Sequence, residues 1–211
     1  MELQQYIDHT LLKPTARPED IKRLCQEALD YKFFAVCVNS VYIPLAKDEL
    51  ESSDVKLAAV IGFPLGAMAT SVKIQEAAYC LEKGADEIDM VINLGWLKSG
   101  AYTDVLNELK SLKAITTDRI LKVIIETCYL SEEEIVKACE LVVEAGADFV
   151  KTSTGFGTGG ATFKDVALMK ATVGEKARIK ASGGIRDRDT ALKYVQMGVS
   201  RLGTSSGIRI I

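Results

Sequence analysis

Glu144-Ala145-Gly146-Ala147-Asp148-Phe149-Val150-Lys151 reads as a helix stopped by glycine and followed, two residues later, by a buried strand that ends on lysine. Glycine adopts the left-handed conformation that closes a helix, and the apolar pair then starts a strand. The outline recurs in Glu82-Lys83-Gly84-Ala85-Asp86-Glu87-Ile88-Asp89 and in Gln196-Met197-Gly198-Val199-Ser200-Arg201-Leu202-Gly203. The fifth residue after the glycine is Lys151, Asp89 or Gly203. Repeated units therefore bring an amine, an acid and bare backbone to equivalent positions.

Working outward from these units, strands are expected at Tyr6–Leu12, Phe33–Asn39, Lys56–Gly62, Glu87–Asn93, Leu121–Glu126, Phe149–Ser153, Arg178–Ser182 and Ser200–Gly203. Helical periodicity fills the gaps. In Pro18–Tyr31 the residues Ile21, Leu24, Cys25, Ala28 and Leu29 fall on one face, and Pro18 suits a first turn. Ser131-Glu132-Glu133-Glu134 is a capping box opening a second amphipathic helix. Further helices fit Val72–Lys83, Thr103–Lys113, Lys164–Ala171 and Asp189–Met197. Strands separated by such crossovers form parallel βα units, and eight of them close a (β/α)8 barrel. The rival, an open doubly wound sheet, normally carries G-x-G-x-x-G after its first strand, and that motif is missing here. The expectation is an α/β protein, one TIM-barrel domain over residues 1–211.

With 211 residues, 48% of them hydrophobic, the chain has enough material for one substantial core. A net charge of -3 gives no footprint for nucleic acid or an anionic membrane. No apolar run approaches the roughly 20 residues that span a bilayer, and Met1-Glu2-Leu3-Gln4-Gln5 is unlike a signal peptide, so a cytoplasmic location is expected. Cys25, Cys37, Cys80, Cys128 and Cys139 form no C-x-x-C pair and read as reduced packing residues. The single histidine, His9, leaves little for a zinc site or a Ser-His-Asp triad.

Two lysines end apolar runs and open into small-residue loops, in Phe149-Val150-Lys151-Thr152-Ser153-Thr154-Gly155 and in Arg178-Ile179-Lys180-Ala181-Ser182-Gly183-Gly184. A lysine in a buried strand is costly to keep charged, and so is neutral, paired or catalytic. Strand parity puts Glu87 and Asp89 on one face, Lys122 and Glu126 on one face, and Lys180 with Ser182 on one face, each opposite an apolar set. In a barrel the polar sets point inward, near the C-terminal mouth where barrel enzymes place their sites. Lys180 is then the neighbouring cation that favours a neutral Lys151, Lys151 the nucleophile for a Schiff base, and Asp89 a proton shuttle. The competing reading is a structural ion network of Lys151, Lys180, Asp89 and Glu126.

Ser182-Gly183-Gly184 and Gly203-Thr204-Ser205-Ser206-Gly207 follow the seventh and eighth strands, where barrels commonly bind phosphate through backbone N–H groups and hydroxyls. Gly155-Phe156-Gly157-Thr158-Gly159-Gly160 is a flexible loop or a third wall. Asp8 and Thr10 share a strand face, to bind a substrate hydroxyl or to satisfy strand-end backbone; His9 has the opposite parity and reads as structural. Cys37 shares its face with Ala35 and Asn39, lining the site or packing.

Ile7–Leu12, Val36–Ser40, Val60-Ile61-Gly62-Phe63-Pro64-Leu65-Gly66, Glu87–Asn93, Leu121–Thr127, Asp148–Gly155, Lys180–Arg186 and Gly203–Gly207 together resemble the deoxyribose-phosphate aldolase family, class I aldolases on a (β/α)8 barrel. The resemblance implies reversible cleavage of 2-deoxy-D-ribose 5-phosphate to D-glyceraldehyde 3-phosphate and acetaldehyde, with no metal or organic cofactor. It implies the Schiff-base role for Lys151 and proton transfer for Asp89 and Lys180. Phosphate contacts fall on Gly155, Gly183, Gly184, Gly203, Ser205 and Ser206, with Thr154 beside them, and sugar-hydroxyl contacts on Asp8 and Thr10. A homodimer or homotetramer is implied, without nucleic-acid or membrane partners. Two departures stand out: Phe156 occupies a position where some members have lysine, and the chain stops at Ile211, before the C-terminal tyrosine of longer members. Two other readings stay open. One is a sugar-phosphate lyase or isomerase with carboxylate proton transfer, which would tolerate Lys151→Arg; the other is a phosphate-ligand sensor without turnover.

Overall fold

The computed structural model describes residues 2–211. Eight parallel strands pair in chain order and close on themselves: β1 (Ile7–Leu11), β2 (Ala35–Asn39), β3 (Lys56–Ile61), β4 (Glu87–Val91), β5 (Ile120–Ile124), β6 (Phe149–Lys151), β7 (Arg178–Ser182) and β8 (Arg201–Thr204). The seam is the β1–β8 pairing, with Ile7 opposite Leu202 and Asp8 opposite Gly203. This is the expected (β/α)8 barrel, each strand within two residues of its expected ends. Helices on the outside are α1 (Pro18–Asp30), α2 (Ile43–Glu49), α3 (Thr70–Glu82), α4 (Leu94–Lys98), α5 (Tyr102–Thr116), α6 (Glu132–Glu144), α7 (Phe163–Val173), α8 (Arg188–Gln196) and α9 (Gly207–Ile210).

Local chemistry explains the boundaries. The capping box at α6 is present: Glu134 N donates to Ser131 Oγ at 3.3 Å, and Ser131 N donates to Glu134 Oε2 at 2.8 Å. Thr162 and Asp187 cap α7 and α8 by accepting from Asp165 N and Thr190 N. Gly84, Gly146 and Gly198, the three helix stops read from the repeat, all have positive φ.

Strand parity splits the interior into two regions. Val36, Val38, Ile88, Met90, Leu121, Val123, Val150, Ile179 and Leu202 face the helices and join one large apolar layer between barrel and helices. Inside the barrel, among the described residues, a second and small apolar cluster forms from Leu12, Cys37, Ala58 and Val60, with Phe63 against it. The remaining inward face carries Val91, Ile124 and Phe149 together with charged side chains. Their apolar stems pack like aliphatic residues, while their heads need partners.

Four cysteines are buried as expected; Cys128 is half-buried, in the single 3-10 turn Thr127–Tyr129 after β5. All five thiols are unpaired. No described helix is long and apolar enough to cross a membrane.

Candidate active site

The register of β4 to β7 assembles the chemistry. Asp89 lies opposite Lys122 on β5, and Lys151 on β6 lies opposite Lys180 on β7. One carboxylate oxygen, Asp89 Oδ2, accepts from Lys151 Nζ and from Lys180 Nζ, both at 2.7 Å. Its other oxygen, Oδ1, accepts from Lys122 Nζ at 2.7 Å. Lys180 also donates to Asp8, whose Oδ1 accepts from Arg201 Nε at 2.7 Å. Glu87 accepts from both Arg201 and Lys122. Arg201, Asp8, Lys180, Asp89, Lys122 and Glu87 thus close a ring of six alternating charges, and Lys151 attaches to it only through Asp89.

The electrostatics differ between the two central lysines. Burial pushes the Lys151 ammonium toward the neutral amine, Asp89 partly opposes this, and the Lys180 cation adds to the burial effect, so its pKa lies below that of an ordinary lysine. Burial also disfavours charge on Lys180, but Asp8 and Asp89 outweigh it and hold the proton. For Asp89 the burial penalty is overcome by Lys122, Lys151 and Lys180, leaving the carboxylate ionised well below its usual range. Asp8 is likewise buried and held ionised by Arg201, Lys180 and Lys122.

Above this ring, at the C-terminal mouth, opens a pocket of about 280 Å³. Lys151 is the one member of the cluster on its lining, with Thr10, Thr154 and Ser182 around it. Gly155, Gly183, Gly184, Gly203, Ser205 and Ser206, from the loops after β6, β7 and β8, form the wall. Gly183 and Gly184 have φ of +84° and +81°, open only to glycine without strain. At Gly203 an added Cβ would lie 2.3 Å from Ser182 Oγ and 3.1 Å from Lys180 Cε, so bare backbone is required there. Phe156, on the rim, packs edge-on against Phe63 with ring centroids 5.3 Å apart.

Not every expected site residue reaches the pocket. Asp8 is fully buried in the ring and absent from the lining, whereas Thr10, on the same strand face, lines it. Asp89 and Lys180 sit beneath Lys151. Cys37 is fully buried against the inner apolar cluster, its thiol pushed up in pKa by burial. Glu126 takes no part in the ion network; it accepts from Thr154 N at 3.0 Å and from the Thr154 hydroxyl, fixing the loop after β6. His9 faces outward and bonds Glu27 at 2.6 Å, in keeping with its parity.

Sequence reasoning missed two features. Lys13 and Arg186 line the pocket, two cationic side chains against no carboxylate on its wall. The Ser182 hydroxyl, which strand parity puts on the face of Lys180, is buried at the pocket wall without a hydrogen-bond partner. Arg201, which closes the ring, lies in a strand read only for the backbone of Gly203.

A closed βα barrel with a buried amine beneath a mouth of glycine backbone, hydroxyls and two cations defines a class: barrel enzymes that work on phosphorylated carbonyl compounds. The chain belongs to the DeoC/LacD family aldolases, whose model matches residues 3–209. It is 57% identical over 214 residues to the deoxyribose-phosphate aldolase of Carboxydothermus hydrogenoformans, covering 100% of this chain and 94% of the relative. Among solved structures, the aldolase QR15 superposes with a TM-score of 0.96 at 45% identity, covering 100% of this chain and 94% of the other. The tetrameric deoxyribose phosphate aldolase of Aeropyrum pernix superposes with a TM-score of 0.92 at 36% identity, covering 99% and 88%.

Proposed function

We propose that this protein is a class I aldolase that reversibly cleaves 2-deoxy-D-ribose 5-phosphate to D-glyceraldehyde 3-phosphate and acetaldehyde through a Schiff base on Lys151. The observation that carries this reading is the sharing of Asp89 Oδ2 by Lys151 and Lys180 under a pocket that Lys151 alone of the cluster enters. In cleavage the free amine of Lys151 adds to the C1 aldehyde, and loss of water with uptake of one proton from the groups beside the nitrogen gives an iminium. The C3 hydroxyl loses its proton, the C2–C3 bond breaks, and its electron pair passes toward the iminium nitrogen. The resulting enamine takes a proton at C2, and water then releases acetaldehyde and restores the amine. Asp89 and Lys180 supply and accept protons beside the nitrogen, directly or through water.

The phosphate fits the mouth, where glycine backbone, Ser205, Ser206, Lys13 and Arg186 gather. Lys13 and Arg186 supply the positive charge that Phe156 does not. Thr10 and the unpartnered Ser182 hydroxyl are placed for sugar hydroxyls. Five free thiols agree with the cytoplasm as its compartment, and the tetrameric Aeropyrum relative supports a homodimer or homotetramer.

Acetaldehyde with borohydride tests the assignment. Irreversible ethylation mapped to Lys151 and loss of turnover are expected. Full turnover with an unmodified Lys151 rejects the nucleophile; ligand binding without turnover favours the sensor reading.

A further inference from the structure

The barrel interior holds seven ionisable groups, of which Glu87 and Arg201 also line the cavity at its N-terminal end, and their signs do not match in number. Lys122, Lys151, Lys180 and Arg201 meet Asp8, Glu87 and Asp89, all buried. Three further charged groups stand near: Glu126, a buried carboxylate beyond the end of β5, and Lys13 and Arg186 on the pocket wall, and none of them hydrogen-bonds a member of the seven. Cys37 on β2 is an undissociated thiol, β3 contributes Ala58 and Val60, and Glu126 is committed to the β6 loop. Beneath the ring, at the N-terminal end, Arg178 lies over the Phe149 ring and Arg119 pairs with Asp86 near the surface. Lys56 and Asp118 complete that lower rim.

The hydrogen bonds say which cation is in excess. Arg201 holds Asp8 and Glu87; Lys122 holds Glu87 and Asp89; Lys180 holds Asp8 and Asp89. Each ring cation has two carboxylates, and each carboxylate two ring cations. Lys151 has one carboxylate oxygen, already shared. With its six members ionised the ring is electrically neutral, so it offers Lys151 no surplus negative charge to retain a proton. Desolvation then decides for the free amine.

We propose that Arg201 and Glu87, neither of which reaches the pocket, are positioning residues that keep Lys151 a free amine by keeping the ring beneath it neutral. This rests on the Schiff-base reading of Lys151. Arginine suits the task because its charge does not titrate in the working range. Replacing Arg201 by methionine leaves three carboxylates against Lys122 and Lys180, and Lys151 must hold its proton to higher pH. Replacing Glu87 by glutamine leaves three cations against two carboxylates, and Lys151 must lose its proton at lower pH. Removing both leaves two against two, and the balance returns.

The test is the pH dependence of acetaldehyde trapping at Lys151 by cyanoborohydride, mapped by peptide mass, together with the pH profile of kcat/KM. Wild type, Arg201→Met, Glu87→Gln, the double variant and Arg201→Lys are compared on the full chain. Relative to wild type, the trapping midpoint is expected to rise by about one unit or more in Arg201→Met and to fall by about as much in Glu87→Gln. The double variant and Arg201→Lys are expected to return to within about half a unit. A residue needed only for packing would lower activity without moving the two single variants in opposite directions. Shifts of the same sign, no shifts, or a double variant that fails to return overturn the proposal. Should Arg201→Met not fold, the fall in Glu87→Gln and its reversal in the double variant, whose charges balance, decide the matter. Should the double variant also not fold, an unmoved midpoint in Glu87→Gln overturns the proposal and a lowered one supports it. Absence of any Lys151 adduct in wild type at every pH instead sinks the Schiff-base reading itself.

Discussion

At the scale of single residues, the site depends on one carboxylate oxygen serving two lysines. Asp89→Asn keeps the shape, removes the base and leaves Lys122, Lys151 and Lys180 competing for a neutral amide. It is expected to lower kcat by about 10²- to 10³-fold, read from steady-state cleavage with glyceraldehyde 3-phosphate detection. Lys13 acts on binding instead. Lys13→Ala is expected to raise KM for 2-deoxy-D-ribose 5-phosphate roughly tenfold, the size of a lost charge-assisted contact, and to leave KM for unphosphorylated 2-deoxy-D-ribose unchanged. A parallel loss on both sugars would remove Lys13 from phosphate recognition. Neither Lys13 nor Arg186 was legible in the chain, because both lie in loops where no periodicity says which way a side chain points. Asp89, Lys151 and Lys180 were legible because strand parity and the glycine-spaced repeat fix their direction. Asp8 was legible as inward-facing, yet its depth was not: parity gives a side of the strand and no height along the barrel axis.

At the scale of elements, β1 to β8 and the long helices follow from alternation and 3.6-residue periodicity, so sequence reading located them closely. The short helices α2, α4 and α9 span seven, five and four residues, too few for a period to show. The α3–α5 contact was also hidden. Lys73 on α3 is fully buried, and its ammonium donates to Glu108 on α5 and to the Val91 carbonyl, both at 2.8 Å. Glu108→Gln is expected to destabilise the protein by about 3 kcal/mol in urea unfolding, because it strands a buried ammonium. The β3–α3 turn is equally constrained: Gly66 has φ +66°, and a Cβ there would stand 2.1 Å from the Ile92 carbonyl oxygen. Gly66→Ala is expected to cost about 2 kcal/mol or more, seen as a lowered Tm.

At the scale of the whole molecule, the six-charge ring fastens β1, β4, β5, β7 and β8 to one another across the barrel, and its carboxylates set the acid limit of stability. Folding depresses the pKa of Asp8 and Asp89, so at acid pH the unfolded chain binds protons that the folded barrel refuses. Their stabilising contribution is present above the ordinary carboxylate range near 4 and is lost as pH falls through the lower folded values. Urea midpoints are expected to fall steeply below pH 4. A midpoint unchanged at pH 3 would mean that these carboxylates are not ionised within the fold.

The pocket rim and the charged floor meet only at Lys151. Acceptor preference and amine reactivity are therefore separable traits, and retargeting the enzyme toward uncharged or bulkier aldehydes is a matter of rebuilding Lys13, Phe156, Arg186 and the serine loop. The electrostatic engine below would run unchanged.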